Sequence, residues 1–159
     1  MYKRQLSQAA GGPRDPDRVD VAALITHAVA DRQEGTAAAN LEIPNGELPV
    51  TGDAKQLALA VDAIVKFADE LAELATACRL VLQAHEDSVR IRLIAHGQGL
   101  ANWQLPHTFE PFYPQRLIRG QSHGLGLFLA QTIVHAHRGQ ATVRRLADGA
   151  LQLEFVLPA

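Results

Sequence analysis

Three short segments place chemistry-bearing residues at close spacing: Gly97-Gln98-Gly99, Phe109-Glu110-Pro111-Phe112-Tyr113 and Gly124-Leu125-Gly126-Leu127. Paired glycines let a backbone turn with its amides free, and a helix that starts there adds the positive end of its dipole. Such a cradle suits a phosphate chain, and Gly97, Gly99, Gly124, Leu125 and Gly126 are its candidate binding positions. A lone Gly-x-Gly pair is weak evidence, since an empty turn looks the same. The weight lies in the order and spacing of all three segments.

The remaining reactive side chains converge less. His135 and His137 are two residues apart in a helical pattern. That spacing points them to different sides, so they read as a surface or capping pair at a helix C-terminus and not as metal ligands. Cys78, the single cysteine, sits in an alanine-rich stretch and reads as a buried structural thiol. Arg116 and Arg119 suit a phosphate, a partner carboxylate or plain solvent. Trp103 fits either a partner contact or packing beneath the loop that carries it. No catalytic residue and no metal-ligand set emerges.

These segments need elements to hold them. Residues 1–17 are polar, with Gly11-Gly12-Pro13 and Asp15-Pro16, and read as a flexible lead-in or linker; 18–159 read as one domain. Val21, Leu24, Ile25, Ala28 and Val29 predict a helix from Asp17 to Ala30. Leu41-Glu42-Ile43 and Leu48-Pro49-Val50 predict short extended pieces around Pro44-Asn45-Gly46. Asp53 is placed to cap a long helix running to about Ala77. Arg79 to His85 and Ser88 to Ile94 alternate as a hairpin, and the stretch from Ala95 to His123 has no sustained period. Gly126 to Ala136 carries Leu127, Ala130, Ile133 and Val134 on one face, with Gly139 placed to end the helix. A last hairpin, Ala141 to Leu146 and Leu151 to Val156, turns at Asp148-Gly149. Helices alternating with mostly hairpin-joined strands predict an α+β fold: a two-layer α/β sandwich, with helices on one face of a mixed, mostly antiparallel sheet.

Composition narrows the function classes. Fifteen basic against seventeen acidic residues in a chain of 159 give a net charge of −2, which supplies no pull toward nucleic acid. The longest apolar runs, Val21 to Ile25 and Leu57 to Val61, fall far short of the roughly 20 residues of a membrane span. The basic N-terminus leads into Gln, Gly and Pro instead of an apolar stretch, so a soluble, cytoplasmic chain is expected.

In their order and spacing the three segments resemble the ATP-binding (HATPase-type) domain of bacterial sensor histidine kinases, in the superfamily that includes gyrase and mismatch-repair ATPases. The resemblance runs from about Asp17 to Pro158. Gly97-Gln98-Gly99-Leu100 is similar to the family's first glycine box and Phe109-Glu110-Pro111-Phe112-Tyr113 to its phenylalanine box. Gly124-Leu125-Gly126-Leu127, followed by Ile133 to Gly139, is similar to the second glycine box with its helix and turn, and Leu151 to Pro158 to the terminal strand. The resemblance implies ATP and Mg as cofactors. It also implies two-component signal transduction and, as partners, a separate dimerisation and phosphoacceptor hairpin domain or a response regulator. His96 and His123 are then expected beside the nucleotide pocket.

Departures fall where the nucleotide chemistry belongs. Fourteen residues on from Asp53 the family offers an Asn that helps hold magnesium; Phe67 stands there, and a phenyl ring has no lone pair for a hard cation. The family's basic residue three positions further on falls on Glu70, whose charge repels phosphate. The Asp that reads the adenine amino group falls on Ala95. Losing a charged acceptor there costs about 1.5–3 kcal/mol, roughly ten- to a hundred-fold in affinity. The second glycine box opens Ser122-His123-Gly124 instead of Gly-x-Gly, and the lid Pro114 to His123 is short. His85-Glu86 lies in a hairpin turn without the phosphoacceptor context. Two readings follow. One is a pseudokinase-like domain with weakened or lost ATP binding that acts as an interaction or regulatory module, inactive in isolation. The other is a working ATP-binding catalytic domain that phosphorylates a histidine on a separate domain. A switch of the anti-sigma type shares the scaffold.

Overall fold

The computed structural model describes residues 16–31, 40–72, 75–97, 101–110 and 126–159. Seven strands run as β1 (Asp17–Asp20), β2 (Leu41–Glu42), β3 (Pro49–Gly52), β4 (Ala75–His85), β5 (Ser88–Gly97), β6 (Gln140–Arg145) and β7 (Leu151–Pro158). Three α-helices, α1 (Val21–Ala30), α2 (Ala54–Ala72) and α3 (Gly126–Ala136), and a 3-10 helix at Asn102–His107 complete the described elements.

The main sheet has the order β2-β4-β5-β7-β6, antiparallel except for the parallel pair β2–β4, and β1 and β3 form a separate two-stranded ribbon. Strand alternation sorts the two faces. Val89, Ile91, Leu93 and Ala95 of β5 and Leu151, Leu153, Phe155 and Leu157 of β7 are buried toward the helices, in one core cluster with Leu57, Val61, Ile64 and Leu71 of α2 and Ile133 of α3. Each of these Val, Ile, Leu and Phe side chains contributes about 1.5–3 kcal/mol through burial. The opposite face carries Arg90, Arg92 and Glu154, with Arg92 Nε donating to Glu154 Oε2 at 2.6 Å. The expected α+β sandwich is therefore the fold observed.

Four local expectations change. Asp17–Asp20 is a strand, not the first helical turn: Val19 pairs with Val50, and Asp20 becomes the N-cap of α1. Asp20 Oδ1 accepts from Ala22 N at 3.1 Å and from Leu48 N at 2.9 Å, so one carboxylate ties the helix start to the β3 approach. The two short extended pieces do not pair with each other, since β2 joins β4 and β3 joins β1. The long helix stops at Ala72, because the alanine-rich stretch beyond it, which favours helix intrinsically, is claimed by pairing of Ala75 with Gly97 and Ala77 with His96. Finally, Asn102–His107 forms a 3-10 helix inside the stretch read as aperiodic loop.

Gly139 does not end α3 by a left-handed turn. Arg138 does, at φ 64°, in a Schellman arrangement where Gly139 N donates to Val134 O at 2.8 Å and Arg138 N to His135 O at 3.0 Å. What Gly139 supplies is closeness, for a Cβ there would collide with the Val156 carbonyl oxygen of β7.

Candidate functional site

Helix α3 lies antiparallel along α2. Its first residue, Gly126, sits against Ala63, to which an added Cβ would come within 3.7 Å, and its last turn reaches Gly52 and Asp53 at the other end of α2. Phe67 lies one turn beyond Ala63, so the glycine that opens α3 faces the part of α2 that carries Phe67 and Glu70. β5 ends at Ala95-His96-Gly97, where Gly97 takes φ 86°, a left-handed backbone suited to glycine. Gly99, Gly124 and Leu125, with the lid Pro114 to His123 and its Arg116 and Arg119, lie outside the described residues.

At the positions where ligand chemistry is expected, the side chains are buried in the core. Phe67 is 3% exposed and Ala95 4% exposed, and both belong to the same apolar cluster as Leu71, Leu93 and Leu151. Glu70 is half-buried and engaged in an interaction of its own. Neither an oxygen ligand for magnesium nor an acidic acceptor for an adenine amino group is present at Phe67 or Ala95, so these residues do not fit the metal or the base. Among the described residues no group of three His, Cys, Asp or Glu side chains could hold a metal ion.

His96 does not join Ala95. It pairs with Ala77 and, by strand alternation, faces the other side of the sheet, away from the helices. The reading of His135 and His137 as a surface or capping pair is half wrong. His135 is exposed, but His137 is buried at 8% exposure and bonded at both ring nitrogens. Its partner Asp53 lies 84 residues away, which no local pattern could signal.

The described residues that lead into the phenylalanine box, up to Glu110, are seated by contacts that sequence reasoning did not see; Pro111 to Tyr113 lie outside the described residues. His107 Nδ1 lies 2.7 Å from Glu110 Oε1, and the buried Thr108 donates from Oγ1 to Leu105 O at 2.9 Å. Arg145 of β6 donates from Nε to Asn102 Oδ1 at 3.0 Å, which fixes the 3-10 helix to the sheet edge. Trp103 on that helix is 65% exposed, so it is not a core residue. Cys78 is buried, with its thiol toward Ala68 O at 3.7 Å; burial first, and the Asp69 carboxylate second, push it from 9.0 up to about 11. At neutral pH it stays a protonated, structural thiol.

A sandwich with a glycine-opened helix laid along a long capped helix defines an ATPase-type domain. Residues 52–159 match the family described as histidine kinase-, DNA gyrase B- and HSP90-like ATPase. The chain belongs to this family and carries the domain type found in sensor histidine kinases of two-component systems. It is 33% identical over 116 residues to the sensor histidine kinase RppB of Synechocystis, covering 69% of this chain and 25% of that protein. It is 35% identical over 81 residues to the sensor histidine kinase GtrS of Pseudomonas aeruginosa, covering 50% and 17%. The chain thus spans a quarter or less of these relatives' own length. In fold it is similar to the mycobacterial sensor histidine kinase MprB, with a TM-score of 0.70 at 20% identity over 91% of this chain and 97% of that one. The ATP-binding domain of PrrB from Mycobacterium tuberculosis gives 0.67 at 23% identity, over 92% and 98%. Among the described residues no helix is long and apolar enough to cross a membrane.

Proposed function

We propose that this chain is a sensor-kinase ATPase-type domain whose nucleotide pocket is closed by apolar side chains, so that it binds ATP and magnesium weakly or not at all. It then serves a two-component pathway as an interaction or regulatory module, docking a dimerisation and phosphoacceptor hairpin or a response regulator. The observation that carries this reading is the burial of Phe67 and Ala95 in one apolar cluster at the two positions where metal and base need polar partners. Glu70 adds a charge of the wrong sign for phosphate. Calorimetric titration of the chain with ATP and magnesium is expected to give no saturable binding below millimolar nucleotide. A micromolar Kd overturns the proposal.

One observation favours the alternative reading of a working catalytic domain. Among the described residues, Gly97 takes a left-handed conformation and Gly126 opens a helix, as a phosphate cradle would use them. Amides and a helix dipole can hold phosphates without side chains. Phosphorylation in trans of a supplied hairpin domain is the result that supports this alternative.

A further inference from the structure

Where α3 ends against the start of α2, His137 occupies a buried position that an apolar residue could fill, yet it makes two directed hydrogen bonds. Nδ1 lies 2.8 Å from the carbonyl oxygen of Ile133, which can only accept. Nε2 lies 3.0 Å from the backbone amide of Asp53, which can only donate. These partners fix the proton on Nδ1 and leave Nε2 as a bare acceptor. The other neutral tautomer, and equally the doubly protonated ring, would set an N–H against the Asp53 N–H. Asp53 completes the joint from its own side, for its Oδ1 accepts from Lys55 N at 3.0 Å and Gln56 N at 3.2 Å, which fastens the first turn of α2. Gly52 makes the room, since a Cβ there would lie 2.5 Å from Cδ2 and 2.8 Å from Nε2 of the imidazole.

We propose that His137 is a positioning residue. As a neutral Nδ1–H imidazole it pins the end of α3 to the start of α2, and so sets the register in which Gly126 meets Ala63 at the far end of the helix pair. Ten residue steps lead from Asp53 to Ala63, about 15 Å at 1.5 Å per step, and the apolar contacts between carry no direction of their own. Bridging two backbone groups of opposite polarity takes a side chain that offers both a donor and an acceptor. Lys and Arg only donate, and carboxylates only accept. The inference goes beyond the reading of the nucleotide pocket and holds whether or not nucleotide binds.

The test is a long-range proton–nitrogen NMR correlation on the chain labelled at histidine nitrogen. A proton on Nδ1 of His137 is expected, and a proton on Nε2 overturns the proposal. In His137→Leu the Asp53 amide is expected to exchange at least ten-fold faster, with altered NOEs between Gly126 and Ala63. His137→Gln, which keeps a donor and an acceptor, is expected to return Asp53 to within about three-fold of the parent. Unchanged Gly126–Ala63 NOEs in His137→Leu overturn the positioning role even where stability falls. Should His137→Leu not fold, Asp53 exchange in His137→Gln as fast as that of an exposed amide also overturns it. None of these readouts involves nucleotide.

Discussion

The two ends of the α2–α3 helix pair are held by different physics. At one end, Asp53, His137 and the Schellman turn after α3 form a joint of directed hydrogen bonds, the one from His137 to Ile133 O fully buried. At the other, Gly126 rests on Ala63 and Phe67 is sunk in the core, so the contact is apolar and undirected. A site that binds a charged ligand needs its polar groups at the second end. Among the described residues, the Asp53–His137 bond and the capping bonds of Asp53 lie at the first, where they fix architecture. On the proposed reading of the pocket, the difference teaches that the scaffold of an ATPase-type domain and the side chains that serve its ligand are separable: the joint is intact while Phe67 and Ala95 are apolar.

Breaking the apolar end is expected to have the largest effect. Phe67→Asn removes a 3% exposed ring from the core and buries an amide in its place. A loss of about 3–5 kcal/mol in urea denaturation is expected. A loss below about 1 kcal/mol would mean that the ring is no plug and that the contrast between the two ends is wrong. The directed end is expected to give a smaller loss. Gly52→Ala places a methyl against the His137 ring and 2.9 Å from Leu57 Cδ1, and overpacking of this kind costs about 1–3 kcal/mol. The same substitution is expected to abolish the protection of the Asp53 amide against hydrogen exchange, which sharpens the comparison because Phe67→Asn speeds that amide only as far as its global loss of stability does.

How far these ends were legible in the sequence follows from how local their determinants are. Leu127, Ala130, Ile133 and Val134 repeat at helical spacing, so α3 is written in adjacent residues. The β4–β5 hairpin is written in alternation, with Val89, Ile91 and Leu93 on one face. β1 was not legible, because its four residues place only Val19 in the core and its partner β3 lies some thirty residues on. The end of α2 was overrun because alanine favours helix wherever no neighbour competes, and the competing strand β5 comes later in the chain. At the candidate site, the positions of Phe67, Glu70 and Ala95 were readable by counting from Asp53 and Gly97. The burial of Phe67 and Ala95 was not, since it depends on strands β5 and β7 closing over the same cluster. His137 was misread for the same reason: its ring bonds join a residue one turn back to another 84 positions away.

The smallest expected effect has the opposite sign and isolates the Schellman turn from the histidine beside it. Arg138 holds φ 64° at the position after the α3 cap, where a side chain with a Cβ costs roughly 1–2 kcal/mol relative to glycine. Arg138→Gly relieves that cost but frees the unfolded chain, which returns about 0.4–1 kcal/mol of the gain. The net is a stabilisation of about 0.5–1 kcal/mol, measurable as a raised urea midpoint at unchanged slope. Arg138 is exposed, so the change leaves the core and the Asp53–His137 bond in place. Combining it with Gly52→Ala then decides how the directed end is built. Additive effects mean that turn and latch are independent devices, whereas recovery of more than the single-variant gain means that strain at Arg138 is held in place by the His137 ring.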